Sequence, residues 1–343
     1  MPLITKKNVL LTGAGFSANF GGLLSREMWS KILSNPKFDS IPKIREALKK
    51  DFDFESVYSS VKNSGEYSAE DKKIFQDIVE ESYSSMDNAL KLYSHHGFEK
   101  SGINTGNVTK WLGMFSGNSG EVGAHFTLNQ DLLVERATGI IPLGLSVPSN
   151  RQYREDINLK QIDSSKTVTL PDTSLLEEFK TKHLPSNGTY CYIKLHGSLG
   201  WLSHDGHKQM ILGTNKLEDI EKEPLLKWYF EVFKEAISAE GVKLFVAGYS
   251  FRDTHVNDLI LRAIIDHKLE IYIISPEQPE NFKDRANRGF TQNQGQIYQV
   301  SDNGVKIWDA VRAYFPYSLK EIFPAAGTDT ATFLDIKKNM AKS

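Results

Sequence analysis

The sequence carries a single cysteine, Cys191, among 343 residues. One thiol closes no internal disulfide and excludes an all-cysteine structural zinc site. An excess of one charge is also missing: 41 Lys and Arg face 43 Asp and Glu, for a net charge of −2. A nucleic-acid binder would usually carry a basic excess or stripe, whereas here only short runs such as Lys6-Lys7 and Lys49-Lys50 occur, and these read as solvated surface. No apolar run approaches the roughly 20 residues that span a bilayer. The N-terminus shows no secretory pattern, because Met1 to Lys7 runs straight into an apolar, strand-like stretch. The expectation is a cytoplasmic protein with no direct nucleic-acid or membrane binding and no metal.

What is present is a clear periodicity. Asn8 to Leu11 is a short strand-compatible run, broken at once by Gly13-Ala14-Gly15, with helix-compatible residues from about Ser25 through Leu33. Strand, glycine turn and helix in that order open a nucleotide-binding α/β unit. From about 36 to 119 the texture is mainly helical, with loops near Asn63–Tyr67 and 100–107. Ser68 can cap a helix with Glu70 and Asp71 in its first turn, and Ile74, Phe75, Ile78, Val79 and Ser82 recur at helical spacing. His125 to Leu128 reads as a strand end. The stretch from about 138 to 187 reads as an irregular insertion, holding a short strand at Val168-Thr169-Leu170 and a short helix at Leu175–Lys182. Tyr190 to Leu195 is strand-like again. Leu225 to Ser238 and Val256 to Ile265 read as helices, Val242 to Ala247 and Ile271 to Ile274 as buried strands. Strands that are apolar throughout and separated by helices imply a parallel sheet covered on both faces. Residues from about Gly327 to Ser343 read as a frayed or weakly docked tail.

Chemistry-bearing residues gather just after the predicted strands. The first group is Gly13-Ala14-Gly15-Phe16-Ser17. Glycines there permit a tight turn and let backbone N–H groups approach a pyrophosphate. Taken alone, the turn fits a plain strand–turn–helix junction equally well, since the third glycine of the usual dinucleotide fingerprint is missing. Three further groups follow strands: Thr127-Leu128-Asn129-Gln130-Asp131, Lys194-Leu195-His196-Gly197-Ser198, and Gly248-Tyr249-Ser250-Phe251-Arg252-Asp253. Ligands of open parallel sheets bind outside the carboxyl ends of the strands, so four polar clusters at strand ends converge on one crevice. His204-Asp205-Gly206-His207 has a spacing that could place two imidazoles together, but nothing nearby completes a ligand set and a surface hairpin turn explains it.

As a set, these motifs resemble the sirtuin family, and more specifically its NAD-hydrolase branch in bacterial defence proteins. The Gly-Ala-Gly-Phe-Ser loop is similar to the family's phosphate-binding turn, and residues 127–131 to its Thr-Gln-Asn-Ile-Asp motif. His196-Gly197 is similar to the catalytic His-Gly pair, and Gly248-Tyr249-Ser250 to the Gly-Thr-Ser element that holds phosphates and ribose. The order matches over roughly residues 5 to 312. The resemblance implies a Rossmann-like parallel sheet with helices on both faces, plus a mainly helical inserted subdomain. The catalytic domain would span 1–325, with Rossmann parts at about 1–35, 120–137 and 188–325, a helical insertion at about 36–119, an irregular one at about 138–187, and a tail at 326–343. It further implies NAD as substrate, Asn129, His196 and Asp131 as catalytic residues, and Gly13, Ala14, Gly15, Phe16, Ser17, Gly248, Ser250 and Ser275 as cofactor-binding residues.

Departures from the family pattern narrow the reading. One cysteine cannot supply the four-cysteine zinc ribbon of deacylating sirtuins, and Gly21-Gly22-Leu23-Leu24-Ser25-Arg26 lacks the proline and phenylalanine of their cofactor loop. The insertion between Asn129 and His196 is also longer than deacylases have. Cleaving the nicotinamide C–N bond passes through an oxocarbenium-like ribosyl centre. Asn129 offers a donor and an acceptor for positioning a water or ribose hydroxyl. His196 titrates near neutral pH and can act as general base. Asp131 can orient polar neighbours or add negative potential, and an N-cap role explains it equally well. The expectation is an NAD glycohydrolase acting as a homo-oligomer, with a sensor or activator protein as partner. A zinc-free deacylase or ADP-ribosyltransferase and a non-catalytic NAD-sensing module stand as alternatives. Hydride transfer is disfavoured, because Glu27 lies too close to the glycine turn, and Asp39 follows a proline break, to serve as a dehydrogenase's ribose-binding acid.

Overall fold

A computed structural model describes residues 3–95, 102–145, 162, 165–185, 188–288 and 306–341. Nine strands are assigned among them: β1 (Asn8–Thr12), β2 (Val122–Thr127), β3 (Val168–Thr169), β4 (Thr189–Lys194), β5 (Gly197–Leu202), β6 (Lys208–Met210), β7 (Lys243–Ala247), β8 (Glu270–Ile274) and β9 (Val311–Phe315). Six of them form one sheet in the order β4-β2-β1-β7-β8-β9, with every pairing parallel. The chain leaves β1 toward one edge and later returns to the opposite side of β1. That reversal is the topological switch point of a doubly wound sheet, where ligands bind. The fold is therefore Rossmann-like, and the apolar strands behave as the sequence predicts.

Alternation along the strands divides the core. Val9 and Leu11 face one layer, packed by the helices Pro224–Ile237 and Thr254–His267. Leu10, Phe245 and Tyr272 face the other, packed by helices Thr105–Gly113, Leu319–Ile322 and Ala331–Ala341. Parallel strands covered on both faces lose nearly all water contact, which accounts for their unbroken apolar sequence. Edge strand β9 is half exposed, and Arg312 Nε donates to Glu270 Oε1 on its neighbour at 3.0 Å. Among the described residues no helix is long and apolar enough to cross a membrane.

The helical insertion has a core of its own, built from Ile32, Phe38, Ile44, Leu48, Phe75, Ile78 and neighbours, with Leu199 and Leu212 of the β5–β6 region completing it. Ser68 Oγ accepts from Asp71 N at the start of the long helix Ala69–His95, the cap that the sequence predicts. The expected loop at 100–107 ends earlier than predicted, because Asn104 accepts from Asn107 N and starts helix Thr105–Gly113. That helix packs on the sheet and not in the insertion's core.

Two other readings change, and the expected hairpin turn at His204–His207 holds. β5 continues directly from His196 and joins β3 and β6 in a second, three-stranded sheet that the sequence reading did not predict. The His204–His207 segment is the hairpin turn between β5 and β6, closed by Ser203 N donating to His207 O. The C-terminal segment is not frayed: Ala331–Ala341 is a helix that buries Phe333, Ile336 and Met340. Asn8 Nδ2 and Lys243 Nζ hold its last carbonyls. Much of the irregular insertion, including 146–161, lies outside the described residues. Within it, Leu143 and Leu145 are core residues.

Candidate functional site

The sheet register aligns the strand ends. Lys194, Thr127, Thr12, Ala247, Ile274 and Phe315 are successive Cα partners across the six strands. Immediately beyond this line come His196, Asn129, Gly13, Gly248 and Ser275, from five adjacent strands. One edge of the sheet therefore presents every motif singled out in the sequence.

Asn129 is fixed by its neighbours. Its Nδ2 donates to Gly13 O at 2.9 Å and to Ser17 Oγ at 2.9 Å. A backbone carbonyl only accepts, so the amide orientation is forced, and with both N–H bonds engaged its Oδ1 is left as the acceptor for an outside group. Ser17 Oγ in turn donates to Asp131 Oδ2 at 2.7 Å, and Asp131 Oδ1 accepts from Leu133 N at 3.1 Å. Asp131 is thus tied to Asn129 through Ser17, and Leu132, not Asp131, is the N-cap of the helix Leu133–Thr138. Below it Lys194, fully buried, donates to Asp131 O and pairs with Glu135 at 2.9 Å. The adjacent Arg136 pairs with Asp87 of the long insertion helix, both side chains fully buried. Burial pushes the Glu135 and Asp87 carboxyls upward, against the pull of their cations. Removing either cation would leave an uncompensated buried charge.

His196 lies in a second polar group. Its Nε2 is 2.9 Å from Nε2 of His255, and the ring stacks on Phe230. Beside His255, Asp253 accepts from Lys216 Nζ at 2.7 Å, and the same ammonium meets Glu55 at 2.8 Å. Asp253 occupies the N-cap position of helix Thr254–His267, yet its side chain makes no cap bond there. Burial drives the His196 pKa well below its ordinary value, and His255 down to about 4. His196 is therefore neutral at physiological pH, a correction to the near-neutral titration expected from its residue type. Burial opposes ionisation of Asp253, but Lys216 and the two imidazoles hold its carboxyl below the usual range. Ligand-type atoms of His196, Asp253 and His255 lie within 4.8 Å of one another. Lys216 already supplies the positive charge at Asp253, and a divalent cation would have to sit beside that ammonium.

The loop that delivers Asp253 and His255 is strained and braced. Phe251 has φ +55°, in the left-handed region that bulky residues avoid. Tyr249 OH donates to Asn257 Oδ1 at 2.8 Å, and Asn257 Nδ2 donates to Phe251 O at 2.8 Å. Gly248 carries φ +68°, and a Cβ there would lie 2.1 Å from Phe16 N. Gly13 N donates to Ala247 O and Gly15 N to Gly248 O at 2.8 Å. The glycines thus serve close backbone-to-backbone packing of two loops, and their amides are engaged there. This corrects the expectation that these N–H groups face a pyrophosphate. Ala14 is the exposed residue of the turn.

Other cofactor-set residues separate. The Phe16 ring is buried among Phe20, Trp111 and His125, as core packing of the first helix requires. Ser275 Oγ accepts from Glu277 N, and its own N donates to Phe315 O. Ser250 sits partly buried in the braced loop. The sequence reading missed Lys216, Glu55 and His255, and named Lys194 without giving it a role. Lys194 had a signal, a lysine inside an apolar strand, and His255 follows Asp253 by two residues. Lys216 and Glu55 sit in sequence that reads as solvated helix.

A cleft of about 450 Å³ opens elsewhere, between the insertion helices and the β5–β6 hairpin, lined by Tyr58, Phe75, Glu80, Lys208 and Glu223 among others. None of Asn129, His196, Asp253 or His255 lines it. Residues 124–297, half of the chain, match the SIR2-like domain family. No curated protein matches the chain. The matched segment contains the Asn129, His196 and Gly248 loops at neighbouring strand ends, and this chain belongs to the SIR2-like family, whose chemistry is NAD-dependent.

Proposed function

We propose that this protein is an NAD glycohydrolase that cleaves the nicotinamide–ribose bond and yields nicotinamide and ADP-ribose. The observation that carries this reading is an amide and an imidazole at adjoining strand ends. Asn129 lies two residues past Thr127 and His196 two residues past Lys194, and Thr127 and Lys194 are register partners. Asn129 Oδ1 accepts a hydrogen bond from a water or ribose hydroxyl, and neutral His196 takes the proton released. The C–N electron pair leaves with the nicotinamide nitrogen, and the water oxygen bonds to the ribosyl carbon. Asp131 orients Asn129 through Ser17.

Water is favoured over acyl-lysine as acceptor because a single cysteine supplies no zinc ribbon and the deacylases' cofactor-loop signature is missing. Resemblance to the defence-associated branch supports a cytoplasmic NAD-depleting effector of bacterial antiviral defence, acting as a homo-oligomer under a sensor or activator protein. The test is nicotinamide release from NAD alone and with an acetylated peptide. Release without peptide is expected, and its loss in folded Asn129→Ala and His196→Ala. Strict peptide dependence would overturn the hydrolase reading.

A further inference from the structure

We propose that His196 and His255 form a two-imidazole proton relay, with His255 as the positioning residue that carries the proton away from the reacting centre. This rests on the NAD-hydrolase reading of the same site. The 2.9 Å Nε2···Nε2 separation is a hydrogen bond, and it requires one nitrogen to donate and the other to accept. Since Nε2 of His196 faces His255, Nδ1 is its nitrogen available to a water or ribose hydroxyl. In the relay tautomer His196 carries its proton on Nε2. When Nδ1 accepts a proton from water, Nε2 passes its own to His255 Nε2. His196 ends neutral, His255 becomes an imidazolium, and the hydroxide oxygen goes to the ribosyl carbon.

Asp253 is the neighbouring group that favours that transfer. His255 faces Asp253 on its own helix end, His196 from the loop after β4, Phe230 from the helix Pro224–Ile237, and Lys216 from the helix Lys216–Lys222. Glu55 of the insertion shares Lys216. Asp253 draws a proton toward His255, while burial and the Lys216 ammonium act against it. A lone buried imidazole would hold the same proton poorly, because burial disfavours its charged form. Asp253, free of a capping role, lies where the charge arrives.

The experiment has two arms on the full chain. In the first, ring ¹⁵N NMR follows His196 and His255 against pH without substrate. Coupled titration of the two rings is expected, and two independent titrations would overturn the relay. In the second, nicotinamide release is followed for wild type and His255→Gln in H₂O/D₂O mixtures. His255→Gln is expected to lower kcat on the order of 100-fold with little change in KM. The bowed proton inventory of two protons in motion should become linear. A folded His255→Gln with wild-type kcat and a bowed inventory would overturn the proposal, and the first arm decides it if that variant does not fold. Coupled titration in a wild type that releases no nicotinamide supports the imidazole pair and counts against the hydrolase reading.

Discussion

Ser17 Oγ stands between Asn129 and Asp131, accepting from Asn129 Nδ2 at 2.9 Å and donating to Asp131 Oδ2 at 2.7 Å. The hydroxyl accepts on one side and donates on the other, so it joins an amide to a carboxylate. Ser17→Ala removes both bonds in a buried setting and leaves Asp131 Oδ2 without its donor. A loss of about 1–3 kcal/mol is expected in chemical denaturation, with a fall in nicotinamide release as Asn129 loses one of its two anchors. A wild-type denaturation midpoint would refute this role for Ser17.

Gly248→Ala addresses the two-loop contact. The substitution meets both a left-handed φ of +68° and a Cβ position 2.1 Å from Phe16 N. Backbone must move on one side, either the β1 turn or the β7 loop. Destabilisation of at least about 3 kcal/mol is expected, seen as a thermal melt shifted down by many degrees or as insoluble protein. Gly206→Ala is the control. It has a similar φ of +84° but open space around it, and it should cost far less.

The contrast between these glycines bears on what a sequence can reveal. The six-stranded sheet was legible because burial on both faces forces unbroken apolar strands, and its strand-end motifs were legible because the crevice follows from topology. Asn129 and His196 stood out by their place after strands. Phe16 was not decided by pattern, since a residue in a strand-end loop can face the crevice or point into the core. Strand β5 was missed because only the short turn at Leu195-His196 separates it from β4. Glu55 and Lys216 were invisible for another reason: their importance lies in a contact between segments more than 150 residues apart, and local pattern carries nothing about it.

Lys216→Met tests that contact. The ammonium is shared by Asp253 and Glu55 at 2.7 and 2.8 Å, and its loss leaves two carboxylates facing each other in a partly buried place. A cost of about 3–5 kcal/mol is expected. Adding Asp253→Asn to Lys216→Met should recover part of it, because one of the unpaired charges is then gone. Additive losses in the double variant would show that the two residues are not coupled.

Stability should depend on pH through buried groups of opposite sign. Burial raises the Glu223 carboxyl from 4.5 to about 7, so between those values the folded chain binds more protons than the unfolded one. Its contribution is full below pH 4.5 and is lost as pH rises through 7, by up to roughly 3 kcal/mol. Burial lowers His125 to about 3 and His255 to about 4, which gives the reverse: their contribution is present above pH 6.5 and is lost as pH falls toward 4. The two trends leave maximum stability on the mildly acidic side of neutral. Glu223→Gln removes only the alkaline loss, and its amide oxygen can still accept from Leu225 N. The melting temperature of that variant is expected to exceed wild type at pH 8 and to match it at pH 5. Parallel curves for variant and wild type across that range would show that Glu223 is not the group responsible.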